Sequence, residues 1–320
     1  MPSRTPPNAY CSYLTTMTKP DDSPTAKTRC GFVAIVGKPN VGKSTLLNHL
    51  LQQKISITSR KPQTTRHRIT GILSAGSTQI VFVDTPGLHD DRRRPLNRVM
   101  NDTVYKSMQD VDAILLVTER LVFDADDQRV LDAIRKLNTP VLLIINKIDQ
   151  VQDKRKLLPH IEQLARQFEF AEIIPLSALK DENLDVIVDT VRKILPEGPF
   201  LYPEDQITDR SSRFLAAEII REKITRQLGD ELPYQVTVEI EKFDRQGETL
   251  HIHGLILVEK PGQKQILIGS DGDRLKLIGS AARKDMEKAF AAKVMLKLWV
   301  KVRAGWGDSE RALQSLGYTD

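Results

Sequence analysis

Residues 37 to 44 read Gly-Lys-Pro-Asn-Val-Gly-Lys-Ser and fill every fixed slot of a phosphate-holding loop. A strand that turns through glycines into a helix aims backbone N–H groups at the loop, and the helix dipole adds positive potential for phosphates. Lys43 reaches the β and γ phosphates, and the Ser44 hydroxyl is offered to Mg²⁺. Gly37, Lys38, Pro39, Asn40, Val41, Gly42, Lys43, Ser44 and Thr45 are therefore expected to hold a nucleoside triphosphate. Three further segments follow in order. Asp84-Thr85-Pro86-Gly87 supplies a carboxylate that can hold the metal through water and a glycine N–H for the γ phosphate. Asn146-Lys147-Ile148-Asp149 supplies an aspartate that accepts from the N1–H and exocyclic amine of guanine, a donor pair that adenine lacks. Ser177-Ala178-Leu179 supplies a backbone N–H for the guanine oxygen. The four segments together predict GTP or GDP with Mg²⁺, and Asn146 to Asp149 oppose an ATPase of similar fold.

These segments resemble the GTPase superclass of translation factors. Lys61-Pro-Gln-Thr-Thr-Arg66 reads as a switch loop, with Thr65 expected to complete a metal set of Ser44, Thr65 and Asp84; Thr64 is the alternative. Gly87 is followed by Leu88, where Ras-like GTPases keep a glutamine that orients the attacking water. Asn40 resembles the position that, in a subset of such enzymes, ligates a monovalent cation in place of an arginine finger. A cation there offsets charge developing between the β and γ phosphates. Slow, potassium-stimulated hydrolysis is expected, with Lys43, Thr65, Asn40 and Gly87 as the catalytic set.

The elements that must position these residues alternate. Apolar strands are predicted at Phe32–Val36, Gly71–Ser74, Gln79–Val83, Ala113–Val117, Val141–Ile145 and Glu172–Pro175, with helical stretches between them. That alternation predicts an α/β unit with a mainly parallel sheet, its ligand at the carboxyl ends of the strands. Residues 1–29, with five prolines and no hydrophobic period, read as a flexible leader, and 30–197 as the nucleotide unit. Prolines at 196, 199 and 203 mark a linker over 198–209. A smaller α+β unit over 210–304 is predicted as helix (Arg213–Leu228), strands (Tyr234–Phe243 and Thr249–Val258), helices around Ile266–Ala289 and a strand at Val294–Val302. A tail over 305–320 carries a short helix capped by Asp308 or Ser309.

Composition adds bounds. At 320 residues, two domains are the natural expectation. The longest apolar runs fall far short of the roughly 20 residues that cross a bilayer, and the leader lacks the apolar core of a signal peptide, so an intracellular protein is expected. Cys11 and Cys30 form no metal spacing and are expected as reduced thiols. The net charge of +5 matters through its distribution. Lys54, Arg60, Lys61, Arg66 and Arg68 lie in a stretch without acids, and Lys260–Arg303 holds eleven basic residues against four acidic ones, which fits a polyanionic partner.

Gly269-Ser270-Asp271-Gly272 places a Gly-x-x-Gly turn between two helical stretches, where a nucleic-acid backbone can approach closely and an apolar groove can receive single-stranded bases. The helix–strand–strand–helix–helix–strand order around it matches a type II KH domain. With Leu275 to Met286, Leu298-Trp-Val-Lys-Val, Gly305-Trp306 and Glu310 to Tyr318 added, the chain from Gly31 to Tyr318 resembles the Era family of ribosome-assembly GTPases. The resemblance implies binding near the 3′ end of small-subunit rRNA on the pre-30S particle. It also implies visits to the inner face of the cell membrane; a cytoplasmic monomer is expected, and the short apolar runs predict no transmembrane segment. Expected RNA contacts are Gly269, Ser270, Gly272, Arg274, Lys276, Arg283 and Lys284. The two middle residues of the turn are Ser270 and Asp271, where the family often places a base, and Asp273 adds a second carboxylate, which weakens the attraction to phosphate. His251 and His253 read as a polar sheet face, and Trp299 and Trp306 as packing anchors. A GTP-gated signalling adaptor with incidental RNA binding is the alternative function.

Overall fold

The computed structural model describes residues 27–61, 63–88, 94–228 and 235–318. Most of the leader, Cys11, Pro62 of the switch loop, Tyr234 and the last two residues of the tail lie outside this set. In the first unit the chain runs β1 (Arg29–Val36), α1 (Lys43–Leu50), β2 (Ile69–Ala75), β3 (Thr78–Asp84), α2 (Pro95–Ser107), β4 (Ala113–Glu119) and α3 (Ala125–Ile134). It continues through β5 (Val141–Asn146), α4 (Leu157–Ala165), β6 (Glu172–Pro175) and α5 (Leu184–Ile194). The sheet order is β2-β3-β1-β4-β5-β6, with β2 antiparallel to β3 and every other pair parallel.

Both faces of this sheet are covered, which is why its strands are continuous apolar runs rather than alternating ones. Val33, Ile35, Phe82, Leu115 and Ile144 pack on the side of α1 and α5. Ala34, Val36, Ile114, Leu116, Leu143 and Ile145 pack against residues of α2, α3 and α4 on the other side. Arg29, expected in the leader, instead opens β1: its N–H bonds to the Ser77 carbonyl at 2.9 Å, so regular pairing begins three residues before the apolar run. Residues 207 and 208, expected within a linker, pair along β2, where Ile72 N–H donates to the Ile207 carbonyl at 2.8 Å.

The second unit follows as α6 (Ser212–Gln227), β7 (Val236–Gln246), β8 (Thr249–Val258), α7 (Pro261–Ile268), α8 (Asp273–Ala289) and β9 (Lys293–Val302). Its sheet runs β7-β8-β9, antiparallel then parallel. The Ser211 hydroxyl accepts from Phe214 N–H and starts α6. Ile220, Ile224, Ile252, Ile256, Ile278 and Met286 form its core. Trp299 corrects the expectation of a packing anchor: it stands on the outer face of β9, 44% exposed, with His253 edge-on at 5.3 Å.

Trp306 is 1% exposed, and it anchors the tail to the first unit. It lies with Leu313 and Tyr318 against Leu96 and Met100 of α2 in a separate apolar cluster. The tail helix α9 (Glu310–Ser315) is capped by Ser309, whose hydroxyl accepts from Ala312 N–H.

Candidate functional site

The phosphate loop leaves β1 through Gly37, held at φ 149°, and enters α1 through Gly42 at φ 102°. Side chains are excluded at both: a Cβ on Gly37 would lie 2.4 Å from the Val117 carbonyl oxygen, and one on Gly42 2.4 Å from Asn146 Nδ2. No side chain caps α1 and no acid sits in its first turn, so its N–H groups and dipole face the loop. Lys43 is buried, and its ammonium donates to the Gly37 and Lys38 carbonyls at 2.8 and 2.9 Å. Burial pushes it down to about 8 although Asp84 and Asp127 pull the other way. Lys38 points away from the loop, to Asp124 and Asp127 at the start of α3 at 2.6 and 2.8 Å. Burial alone would lower the Lys38 ammonium, but these two carboxylates hold it above its usual value.

Ser44, Thr65 and Asp84 converge. Ser44 Oγ lies 2.7 Å from Thr65 Oγ1 and 2.7 Å from Asp84 Oδ2, and Ser56 Oγ donates to the same Asp84 oxygen at 3.0 Å. Burial raises the Asp84 carboxyl despite these donors and Lys43. Asp84 Oδ1 is buried without a hydrogen-bond partner. Two hydroxyls and a buried carboxylate oxygen left without a donor are the hard-oxygen set that Mg²⁺ accepts, so the residues fit the ion. Thr64 is engaged elsewhere, with Ser59 Oγ at 2.6 Å and the Lys61 carbonyl at 2.7 Å. Asn40 is exposed and its side-chain amide nitrogen donates to the Arg60 carbonyl at 3.0 Å, which leaves its side-chain Oδ1 for a cation. Thr85 is turned inward, bonding the Ile35 carbonyl at 2.9 Å. Pro86 is buried beside it, and Gly87 packs on Pro39 so closely that a Cβ would meet the Pro39 nitrogen at 2.7 Å. Leu88 packs into the core.

The base end is tied to the loop by one side chain. Asn146 Nδ2 donates to the Val41 carbonyl at 2.9 Å, and its Oδ1 accepts from Lys147 N–H at 2.7 Å and Ala178 N–H at 3.0 Å. Lys147 donates to the Asn40 carbonyl at 2.6 Å and pairs with Glu119. Ser177 Oγ donates to Asp149 Oδ1 at 2.6 Å and so aims its carboxylate, while Leu179 stands exposed at the rim. A cleft of about 950 Å³ joins these parts, with Gly42, Lys43, Ser44, Thr45, Asp149 and Ala178 among its lining.

Sequence reasoning missed Ser56, Glu119, Asp124 and Asp127, which no motif marks. It also missed Thr225 and Arg226, which reach the cleft from α6 of the second unit. None of the expected RNA contacts lies in this cleft. Gly269 (φ 74°) and Gly272 (φ 79°) frame a turn between α7 and α8, with Asp271 itself at φ 51°. Arg274 donates to the Ile266 carbonyl at 2.6 Å, Lys276 sits 3.6 Å from Asp273, Arg283 pairs with Glu287 at 2.8 Å, and Lys284 is exposed. Ile266 and Leu277, on the two helices that flank the turn, are exposed apolar side chains.

Residues 32–147 match the family of 50S ribosome-binding GTPases, and residues 231–307 match the KH domain. The chain is 56% identical over 307 residues to the GTPase Era of Marinobacter nauticus, covering 96% of this chain and 100% of that protein. It is 60% identical over 292 residues to the GTPase Era of Ectopseudomonas mendocina, covering 91% and 98%. An Aquifex aeolicus Era variant bound to GDP and AlF4⁻ superposes with a TM-score of 0.89 at 40% identity, over 92% of this chain and 100% of that one. An Era in complex with MgGDPNP and nucleotides 1506–1542 of 16S ribosomal RNA superposes at 0.88, with the same identity and coverage.

Proposed function

This chain belongs to the Era family of GTPases, and from that membership we propose that its GTP cycle governs binding of single-stranded RNA near the 3′ end of small-subunit rRNA during assembly of the small ribosomal subunit. One observation carries the reading: the unit that bears the Gly269–Gly272 turn at the head of α8 also sends α6 into the wall of the nucleotide cleft. A change of nucleotide is then felt by the element packed on the RNA-facing helix. The 16S complex of the structural relative supports the choice of RNA. Exposed Ile266 and Leu277 suit unstacked bases, and the basic residues of α8 suit phosphates.

In the hydrolytic step the N–H groups of Gly42 to Ser44 and the Lys43 ammonium hold the phosphates, and Asp149 with a backbone N–H of the Ser177–Leu179 segment selects guanine. Ser44, Thr65 and Asp84 would hold Mg²⁺, which when bound offsets charge on the phosphate oxygens. Leu88 cannot orient water, so this chain must position the attacking water differently from Ras-like GTPases. Asn40 would hold K⁺ beside the phosphates. Hydrolysis should run several-fold faster in K⁺ than in Na⁺, and equal rates would remove this assignment.

Filter binding of a small-subunit rRNA 3′ segment, with a GTP analogue or GDP and at several salt concentrations, tests the function. Tighter binding with the analogue and a steep fall with salt are expected. Undiminished binding by Gly269→Asp combined with Gly272→Asp would point to the adaptor reading. Contact with the inner membrane face would rest on the same basic helix and is checked by co-sedimentation with anionic vesicles. A cytoplasmic monomer is expected and is checked by sedimentation. Among the described residues no helix is long and apolar enough to cross a membrane.

A further inference from the structure

Glu218, Arg221, Glu222 and Arg226 recur at three- and four-residue steps along α6 and share one face. On a free helix they would be a solvated stripe, yet Glu218, Arg221 and Glu222 are buried. What covers them is the first unit, at Thr58 and along its switch loop. Glu222 Oε1 accepts Thr58 N–H at 2.9 Å. Arg226 donates from Nε to the Thr58 carbonyl at 3.0 Å and from Nη2 to the Thr58 hydroxyl at 2.9 Å. Arg221, held by a two-point pair with Glu218, donates to the Thr64 carbonyl. Lys61 reaches the Leu228 carbonyl at the end of the same helix. The loop is thus fixed at residues 58, 61 and 64, the last directly before Thr65, and the Thr65 hydroxyl sits 2.7 Å from Ser44.

We propose that Arg221 and Arg226 are positioning residues for GTP hydrolysis, contributed by the RNA-binding unit: they hold the switch loop so that Thr65 faces the metal position. The inference rests on the reading of Ser44, Thr65 and Asp84 as the metal set. A loop whose peptide carbonyls at 58 and 64 are held by guanidinium groups cannot turn Thr65 outward without breaking charge-assisted hydrogen bonds. The second unit therefore completes the hydrolytic site. Glu222 carries the link further, since its Oε2 accepts from Lys54 at 2.6 Å and Lys54 also pairs with Asp285 of α8 at 3.2 Å.

The test uses the full chain with Arg226→Ala, Arg226→Lys and Arg221→Met, and measures GTP hydrolysis across Mg²⁺ and GTP concentrations beside thermal unfolding. Arg226 is about half exposed, so Arg226→Ala should leave the unfolding midpoint near that of the parent. It should lower kcat by roughly fivefold or more and raise the Mg²⁺ half-saturation, with KM for GTP changing by less than about twofold. Arg226→Lys should recover part of the loss, and Arg221→Met should show the larger effect. Parent-like kcat and Mg²⁺ dependence in both Arg226→Ala and Arg221→Met would overturn the proposal, as would losses that follow only the unfolding midpoint. A parent chain whose hydrolysis ignores Mg²⁺ would instead defeat the metal-set reading beneath it.

Discussion

Leu313→Ala isolates the tail. Leu313 is fully buried in the cluster formed with Leu96, Met100, Trp306 and Tyr318, which is separate from the cores of the two units. Replacing a buried leucine by alanine costs about 3 kcal/mol when the site cannot collapse. At about 1.4 kcal/mol per tenfold, docking of the tail on α2 should weaken by roughly a hundredfold. Because the cluster is small and local, the loss should appear as opening of the tail rather than global unfolding. Amide hydrogen exchange reads this directly: residues 310–318 should exchange about two orders of magnitude faster, while β1, β4 and β5 keep their rates. Trp306 emission should shift to longer wavelength against a constant background from the already exposed Trp299. Parent-like exchange across 310–318 would refute the reasoning, because it would mean that this cluster does not hold the tail.

Asp149→Asn exchanges an acceptor for a donor facing the purine edge and should move preference from guanine to xanthine nucleotides, read by competition binding. Gly37→Ala forces a Cβ to within 2.4 Å of the Val117 oxygen at φ 149° and should abolish nucleotide binding, read by titration with a fluorescent GDP. Burial alone would raise the Glu218 carboxyl, but Arg221 beside it holds it below the usual value. A depressed folded-state value means that Glu218 stabilises the fold above about pH 4.5 and that this contribution is lost as pH falls below it. Glu218→Gln should therefore lower stability at neutral pH by several kcal/mol and flatten the acid slope below pH 4.5, measured by urea unfolding across pH.

The nucleotide site was legible in the sequence because its chemistry needs particular residues at particular spacings. Gly37, Gly42 and Lys43 of the loop, Asn146 and Asp149 at the base end and the strands that precede them are each dictated by backbone sterics or by a hydrogen-bond pattern. The strands of the first unit were legible for another reason: a sheet covered on both faces needs unbroken apolar runs. The clamp on the switch loop was not legible. Glu218, Arg221, Glu222 and Arg226 look the same in sequence whether the stripe faces water or a loop more than 150 residues away. Ser56 carries no signal at all, since its role comes only from the approach of Asp84. The two tryptophans show the same limit: alternation places Trp299 on one face of β9 but cannot say that the face is open, and nothing local to Trp306 names α2 as its partner.

The anchoring of the switch loop sets an order of events during synthesis. Arg66 bonds Tyr318, 252 residues later, at 3.3 Å, and His67 stacks on the same ring at 4.4 Å. At about 5–20 residues per second, the ribosome needs roughly 13 to 50 seconds to make the stretch between them. For that interval the nascent front half can fold its sheet and take up nucleotide with this last tether of its loop still unmade. The tail around Tyr318 then acts as a completion signal, closing this side of the loop only once the second unit exists.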